Sequence, residues 1–443
     1  MFRYIFIKEL QIALLNRRLA SSCLALVILM VVGGVVFEKR YRSMQREYEE
    51  FMLQEGQSFE QITKIKQKVI NDYKRQNNTL PPQEMIDEYL KVKLPDLIFL
   101  TRYILKEPSR LSFIASHNSS LPNGLEMNYF RSSAPQTYSA NNQYFRSFVA
   151  LDWVNIILCF LSFICLCFAY DAFSGEKQHG TLKLMLASSV PRRYILLGKL
   201  FALWCVLLAP IVVGVVIHLL IMQLSANVTF VSADYFKILL FLFMAALFTG
   251  VNILLFFAIS IFTPRVSVSS IVCLLVWIVL VFVLPNTGWL VAGKLHPVPS
   301  LAEQNLRVET LMDDATDKTI RWSSFWHEQW EQRSEDVYKW KNMHDRIDNI
   351  HRDHWDEYSN SLFRQTDVSI SLSKISPFMV FRFMGDRIAD NNYYGYRNFQ
   401  RQATAYQDAY RNFIVDKDAA DPASRHLIWN DNFKGCLAYM SDV

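Results

Sequence analysis

Three side chains with metal-binding chemistry recur within a short stretch of the second half of the chain. His344, Asp348 and His351 fall at positions i, i+4 and i+7, which share one face of a helix. Two neutral imidazoles and a carboxylate at that spacing can bind a divalent metal ion. A stripe of aromatic residues at helical spacing precedes these positions, from Trp322 onward. More commonly, such a pattern is only the polar continuation of a stripe of this kind. A metal site is therefore the weaker of the two interpretations.

The local motifs of the common catalytic sites are absent from this sequence. It has no Gly-x-x-x-x-Gly-Lys-Ser/Thr phosphate loop, no His-Glu-x-x-His, no Cys-x-x-Cys and no Gly-x-Ser-x-Gly. The stretch from Gly175 to Gly180 mimics a glycine-rich loop only superficially. We therefore predict that the chain is not an enzyme and that it binds no cofactor of its own.

Hydrophobic residues make up 51% of the 443 residues, and they are concentrated in a few long runs. A helix needs about 20 mostly apolar residues to cross a bilayer. The runs that meet this condition are Leu19–Phe37, Phe148–Tyr170, Leu197–Leu224, Phe236–Phe262 and Val266–Leu284. The sequence therefore predicts an all-α integral membrane protein with five transmembrane helices.

The basic residues of the short connections predict the orientation of these spans. The amino terminus, the loop 171–199 and the short turn at Arg265 are basic, which places them on the cytoplasmic side. Residues 1–18 are then expected to form an amphipathic interfacial helix before the first span, 19–37, and the alternative is a simple cytosolic extension of that span. The polar segments 38–147 and 293–443 become extracytoplasmic and build one mostly helical outer domain from two insertions, and 148–292 hold spans two to five. The net charge of +5 reflects this orientation and gives no sign of nucleic-acid binding.

Several patterns predict helices in the outer segments. Glu38–Asn78 has apolar residues at helical spacing, and Gln83–Val92 is expected to resume a helix after a proline break. A longer aromatic stripe begins at Trp322. A serine-rich connector is expected after Asp367. Ser376 and Pro377 then resemble a helix start, and Tyr393–Phe413 reads as one more helix. The phenylalanines that follow Pro377 are expected near the membrane surface.

The loop between the second and third apolar runs has an unusual composition for a turn. Glu176 and its polar neighbours cannot remain in hydrocarbon, so the preceding span has to end before them. Gly180 and Thr181 signal the start of a helix. Leu182, Leu184, Met185 and Leu186 follow as a short apolar helix, which Pro191 and Arg192 separate from the next span. Such a helix packs either on its own membrane helices or on a partner protein.

This loop resembles the cytosolic coupling segment of ABC exporter permeases of the second (drug and polysaccharide exporter) type. The matching residues are Glu176, Gly180, Thr181, Leu182, Leu186, Ser189, Pro191, Arg192, Gly198 and Lys199. The resemblance implies that Glu176 lies in the polar lead-in, that the coupling helix begins at Gly180 and Thr181, and that Leu182–Leu186 dock on a separate cytosolic ATPase.

The same resemblance implies the partners and the compartment. ATP and Mg²⁺ belong to the ATPase subunit, expected in two copies, and a second permease, identical or homologous, completes the path. An extracytoplasmic client protein is a further possible partner. The location implied is a bacterial inner membrane. Members of this family have six spans, so either a sixth follows Val443, which is the favoured expectation, or this protein lacks it.

Four residues inside the apolar runs are candidates for a transport path: Pro210, His218, Asn252 and Ser260. Pro210 is expected to kink the third span. Membrane helices use such polar residues more often for hydrogen bonds to one another. The alternative function from another class is a membrane-anchored sensor or scaffold without an ATPase. That alternative normally requires a cytosolic signalling domain, whereas this chain offers only short loops on that side.

Overall fold

The structure is a computed structural model, and it describes residues 2–75, 102–116, 124–127, 151–187, 191–224, 230–315 and 333–420. Within these ranges the chain is almost entirely helical. Two short strands, β1 (Arg102–Leu105) and β2 (Gly124–Met127), pair in antiparallel register, with Arg102 opposite Met127. The predicted helix within 83–92 lies outside the described residues.

Five helices of the described part are long and apolar enough to cross a membrane. They lie in α2 (Arg17–Arg75), α3 (Trp153–Asn155, a π-helical stretch Ile156–Leu161, and Ser162–Ala169), α6 (Arg192–Leu224), α7 (Ser232–Phe262), and α8 (Val266–Ile278, a π-helical stretch Val279–Val283, and Leu284–Leu295). The predicted all-α membrane protein with five spans is therefore confirmed.

The remaining helices are shorter or more polar. They are α1 (Phe2–Leu15), α4 (Ser174–Gln178), α5 (Thr181–Ala187), α9 (Leu301–Ala315), α10 (Arg333–Ser373), α11 (Pro377–Ile388) and α12 (Tyr393–Ala420). The expected helices before residue 78 and after Tyr393 are present. The predicted serine-rich connector after Asp367 is wrong, because α10 continues to Ser373.

The first span and the first outer helix form one continuous helix, α2. Its start is capped by Asn16, whose side-chain oxygen accepts hydrogen bonds from the N–H groups of Arg18 (3.0 Å) and Leu19 (3.4 Å). The short helix α1 precedes this cap and packs along the beginning of α6, where the Phe2 ring contacts Tyr194 and Phe201. The break at Asn16 thus lets α1 fold back beside the third span.

A tight interface joins α2 to α6 beside the start of α3. The His218 ring on α6 is fully buried, and its Nδ1 accepts a hydrogen bond from the Trp153 indole N–H of α3 (3.2 Å). A Cβ atom added to Gly34 of α2 would lie 2.6 Å from the same Nδ1. Gly34 therefore lets the backbone of α2 approach an imidazole that is held in place from the other side.

Gly34→Ala is expected to destabilise the bundle by about 1–3 kcal/mol, because the added methyl group overpacks a ring that cannot retreat. The measurement is the thermal unfolding midpoint of the purified protein in detergent. Gly293→Ala on α8 is the matched control, since its added Cβ would meet the nearest atom, Gln365 Nε2, at 3.8 Å. An unchanged midpoint for Gly34→Ala would contradict the close approach.

The helices α10 and α11 form a hairpin that enters the bundle between α7 and α8. Along α8, Gln365 Nε2 of α10 donates to the His296 carbonyl (2.7 Å), and Gly288 lies against Ser373. At the turn, Ser376 Oγ donates to the Leu280 carbonyl (2.9 Å) instead of capping α11. The hairpin thus follows α8 inward as far as its π-helical stretch.

The returning helix α11 is packed by aromatic contacts against α7. The Phe381 ring stacks on Phe248 with centroids 4.4 Å apart, and Phe378 meets the same ring edge-on at 5.2 Å. These phenylalanines are buried beside the middle of a span, so their predicted position near the membrane surface is wrong. The reason is the hairpin, which carries Phe378 inward from the outer segment.

Candidate functional site: the loop between the second and third spans

Two short helices form the loop that follows α3. The first, α4, ends at His179, and Gly180 follows in the left-handed conformation (φ 73°), which terminates a helix at low cost only for glycine. The second, α5, begins at Thr181, as the sequence predicted. The Thr181 hydroxyl donates to the Glu176 carbonyl (3.2 Å), so it closes the end of α4 rather than capping α5.

The surface of α5 is divided between solvent and bundle. Thr181, Lys183 and Ala187 are exposed, whereas Leu182 is half-buried and packs on the hydrophobic core. The side chains of Leu184, Met185 and Leu186 lie outside the described set. One face of α5 is therefore available to another molecule, and Leu182 fixes the opposite face to the membrane helices.

An ion network ties the loop to two other elements. Lys199, near the start of α6, has its ammonium 2.7 Å from Glu176 of α4 and 3.4 Å from Glu9 of α1. The Lys199 side chain is only 11% exposed, and both carboxylates are largely shielded. Partial burial strengthens such pairs relative to fully exposed ones. Lys199 therefore links α4 to α1 and α6.

A second set of polar contacts joins α4 to the turn between α7 and α8. The Lys177 ammonium donates to the carbonyls of Ile261 and Thr263, and the Gln178 side chain accepts from the Val266 N–H (3.3 Å). These contacts connect the loop to the adjoining ends of α7 and α8.

The serine predicted for a transport path also serves this junction. Ser260 Oγ accepts hydrogen bonds from the backbone N–H groups of Phe173 (3.1 Å) and Ser174 (3.0 Å). Nearby on α8, Ser269 Oγ donates to the Tyr170 carbonyl (2.6 Å). The end of α3 is therefore held by side chains from both α7 and α8.

The other path candidates are buried within this chain. Pro210 is buried in α6, which continues as a helix on both sides of it. Asn252 is buried on α7 and donates to the Phe248 carbonyl one turn earlier (2.8 Å). His218 and Asn252 thus make contacts within the bundle in this single chain, and their role in transport stays a prediction.

The structure places the remaining predicted residues as follows. Pro191 and Arg192 are exposed at the start of α6. His344, Asp348 and His351 lie on α10, but their side chains are outside the described set. Among the side chains that the structure does describe, no group of three His, Cys, Asp or Glu could hold a metal ion. The metal site therefore stays an untested prediction.

Sequence reasoning missed the ionic partner of this loop on α1. Glu9 lies 167 positions before Glu176, and no local sequence pattern connects them. The one indication of a contact was that Glu9 lies on a helix predicted at the inner interface, where the loop was also expected. Lys177 and Ser260 could be recognised as polar residues. The partner of each depends on how the end of α3 and the following helix α4 pack against α7.

Comparison with known proteins gives one match. The family model described as "ABC-2 family transporter protein" matches residues 3–392, which is most of the chain. No curated protein and no solved structure matches the sequence. The matched region contains all five spans, the loop with α4 and α5, and the α10–α11 hairpin. The chain therefore belongs to the ABC-2 transporter family, as a multi-pass membrane subunit of permease type.

Proposed function

We propose that this permease subunit couples ATP hydrolysis by a separate cytosolic ATPase to movement of its membrane helices, and that α5 is the element on which the ATPase docks. The observation that carries this proposal is the bracing of the loop. Through Lys199 and Lys177, α4 contacts α1, α6 and the α7–α8 turn. A push on α5 would therefore reach α1, α6 and the turn between α7 and α8.

The exposed face of α5 supplies the docking surface. Thr181, Lys183 and Ala187 point away from the core, and Pro191 and Arg192 extend the exposed strip toward α6. The turn at Gly180 leaves open space around it, with no atom within 4 Å of an added Cβ. This geometry suits a short helix that enters a groove of another protein.

The rest of the assembly follows from this role. ATP and Mg²⁺ would be bound by the ATPase, in two copies. The five spans of one chain pack on each other around a core of their own, so the path would lie between two chains. A second permease, identical or homologous, would complete it. The loop and α1 would face the cytoplasm of a bacterial cell, and α9, α12 and the first part of α10 would lie outside the inner membrane. The outer helices would then move either a transported molecule or an extracytoplasmic client protein.

The test is co-purification of an ATPase with the tagged full chain from detergent-solubilised membranes of its host. We expect Lys183→Glu/Ala187→Asp to reduce the bound nucleotide-binding subunit at least tenfold, because both changes put negative charge on exposed positions of α5 without altering the core. The matched control is Leu306→Asp/Arg307→Glu, at exposed positions of α9. An ATPase that is retained equally by all three forms would contradict docking on α5.

A further inference from the structure

The turn between α10 and α11 carries a charged side chain into the middle of the bundle. Lys374 and Ile375 are both exposed there, Ile375 to 73%. They line a shallow groove of about 330 Å³ together with Leu247 and Val251 of α7. Leu247 lies midway along α7, 15 residues from Ser232 and from Phe262, or about 22 Å from either end.

The contacts of the turn with α8 place it at the same depth in the apolar layer. Ser376 donates its hydroxyl to the carbonyl of Leu280, which lies 14 residues after the start of α8 and 15 before its end. Close packing of Ser373 on Gly288 fixes the hairpin against that helix. Two spans thus place the turn at the centre of the apolar layer.

An exposed ammonium group at this depth is incompatible with a lipid-facing surface. A lysine at the centre of a bilayer is costly, and intramembrane charges almost always face a water-filled cavity or an opposite charge. A lysine side chain also cannot reach the headgroups from the middle of a helix of this length. The face formed by α7 and the hairpin turn is therefore covered by something polar.

No acidic residue in the spans can supply that opposite charge. The runs 19–37, 153–170, 200–224, 238–262 and 266–284 contain neither Asp nor Glu. Within the hairpin, Asp386 is buried beside Arg382, and Asp367 pairs with Arg397 at 3.1 Å. The spans of a second copy of this chain thus offer no carboxylate at this depth either.

Building on the permease function proposed above, we infer that the turn Lys374–Pro377 lines a water-filled path between two permeases and that Lys374 binds an oxyanion of the transported molecule. The expected ligand is a molecule that carries a carboxylate or phosphate group and can pass along the apolar groove beside Lys374. A soluble anion and an anionic lipid headgroup share this chemistry.

The test places a reporter thiol beside Lys374. Ile375→Cys in a background without the seven native cysteines is treated with anionic and cationic methanethiosulfonates of similar size. The measured quantity is the ratio of the anionic to the cationic labelling rate at the Ile375→Cys thiol. This ratio is expected to be at least about threefold higher with Lys374 than with Lys374→Gln, because Lys374 places one positive charge near the thiol. Ile375 is exposed, so this substitution leaves the packing intact.

Ile28→Cys is the matched control for depth, because Ile28 is exposed midway along the apolar run 19–37. Ile375→Cys should react much faster than this control. Equal, slow labelling of both positions, or a reagent preference that Lys374→Gln does not change, would overturn the inference.

Two further arms identify the source of the anion. The Ile375→Cys protein is labelled in phosphatidylcholine vesicles with and without inorganic phosphate, and in vesicles that also contain phosphatidylglycerol. Slower labelling with phosphate indicates a soluble anion, and slower labelling with phosphatidylglycerol indicates a headgroup; protection by neither contradicts anion binding. Thiol labelling does not depend on an ATPase, so its outcome is separate from that of the co-purification test.

Discussion

Lys199→Met is expected to reduce ATP hydrolysis by the co-purified complex at least tenfold and to lower the stability of the permease by about 2–4 kcal/mol. Two carboxylates, Glu9 and Glu176, would remain side by side without the ammonium that lies 3.4 and 2.7 Å from them. Removing one partner of a mostly buried ion pair is strongly destabilising, since the remaining charge is left uncompensated. The measurements are the rate of ATP hydrolysis and the thermal unfolding midpoint in detergent.

Two variants test whether the effect belongs to the network. Lys199→Arg keeps the charge and should retain most of the activity, and Lys294→Met removes an exposed charge at the end of α8 and should change neither readout. Wild-type hydrolysis and stability in Lys199→Met would show that the contacts among α1, α4 and α6 do not brace the loop.

Arg382→Met is expected to destabilise the protein by about 3–5 kcal/mol. Arg382 is 1% exposed on α11, and the carboxyls of Asp386 (4% exposed) and Asp152 (5% exposed) lie within its electrostatic reach. Without the guanidinium, two acids remain buried together with no compensating charge. The thermal unfolding midpoint measures the loss, and Arg387→Met, at an exposed position of the same helix, is the control. An unfolding midpoint of Arg382→Met equal to that of the wild type would contradict the charge cluster.

The spans and the start of α5 could be predicted from the sequence because each depends on local composition. Long apolar runs have few alternatives to a membrane helix, and Gly180 followed by Thr181 ends one short helix and begins the next wherever the loop lies. The helical outer segments followed from apolar residues at regular spacing, for example before residue 78 on α2.

The hairpin could not be predicted, because its position depends on distant partners. With 12 residues that include Arg382 and Asp386, α11 is too short and too polar to be taken for a membrane helix. Its Arg382 is within electrostatic reach of Asp152, which lies 230 positions earlier in the chain. The serines near residue 373 favoured a loop by propensity, but their small side chains allow α10 to pack closely on Gly288.

The candidate site could likewise be predicted only in part, because some of its contacts come from distant parts of the chain. The residues of the loop itself were visible, since an apolar helix between charged residues is unusual. The elements that brace it were not, because Glu9 and Ser260 reach the loop only after α1 and α7 have packed. Ser260 is polar inside an apolar run, which suggested a transport path, whereas in the structure its hydroxyl holds the end of α3.

Site-specific photo-crosslinking from α5 tests the central claim most directly. A photoreactive amino acid at Lys183, an exposed position, is activated in intact membranes, with Arg307 on α9 as the reference position. Docking on α5 predicts a covalent adduct between position 183 and a nucleotide-binding ATPase, and none from position 307. Adducts with lipid alone at position 183, or an ATPase adduct from position 307 instead, would contradict the coupling function.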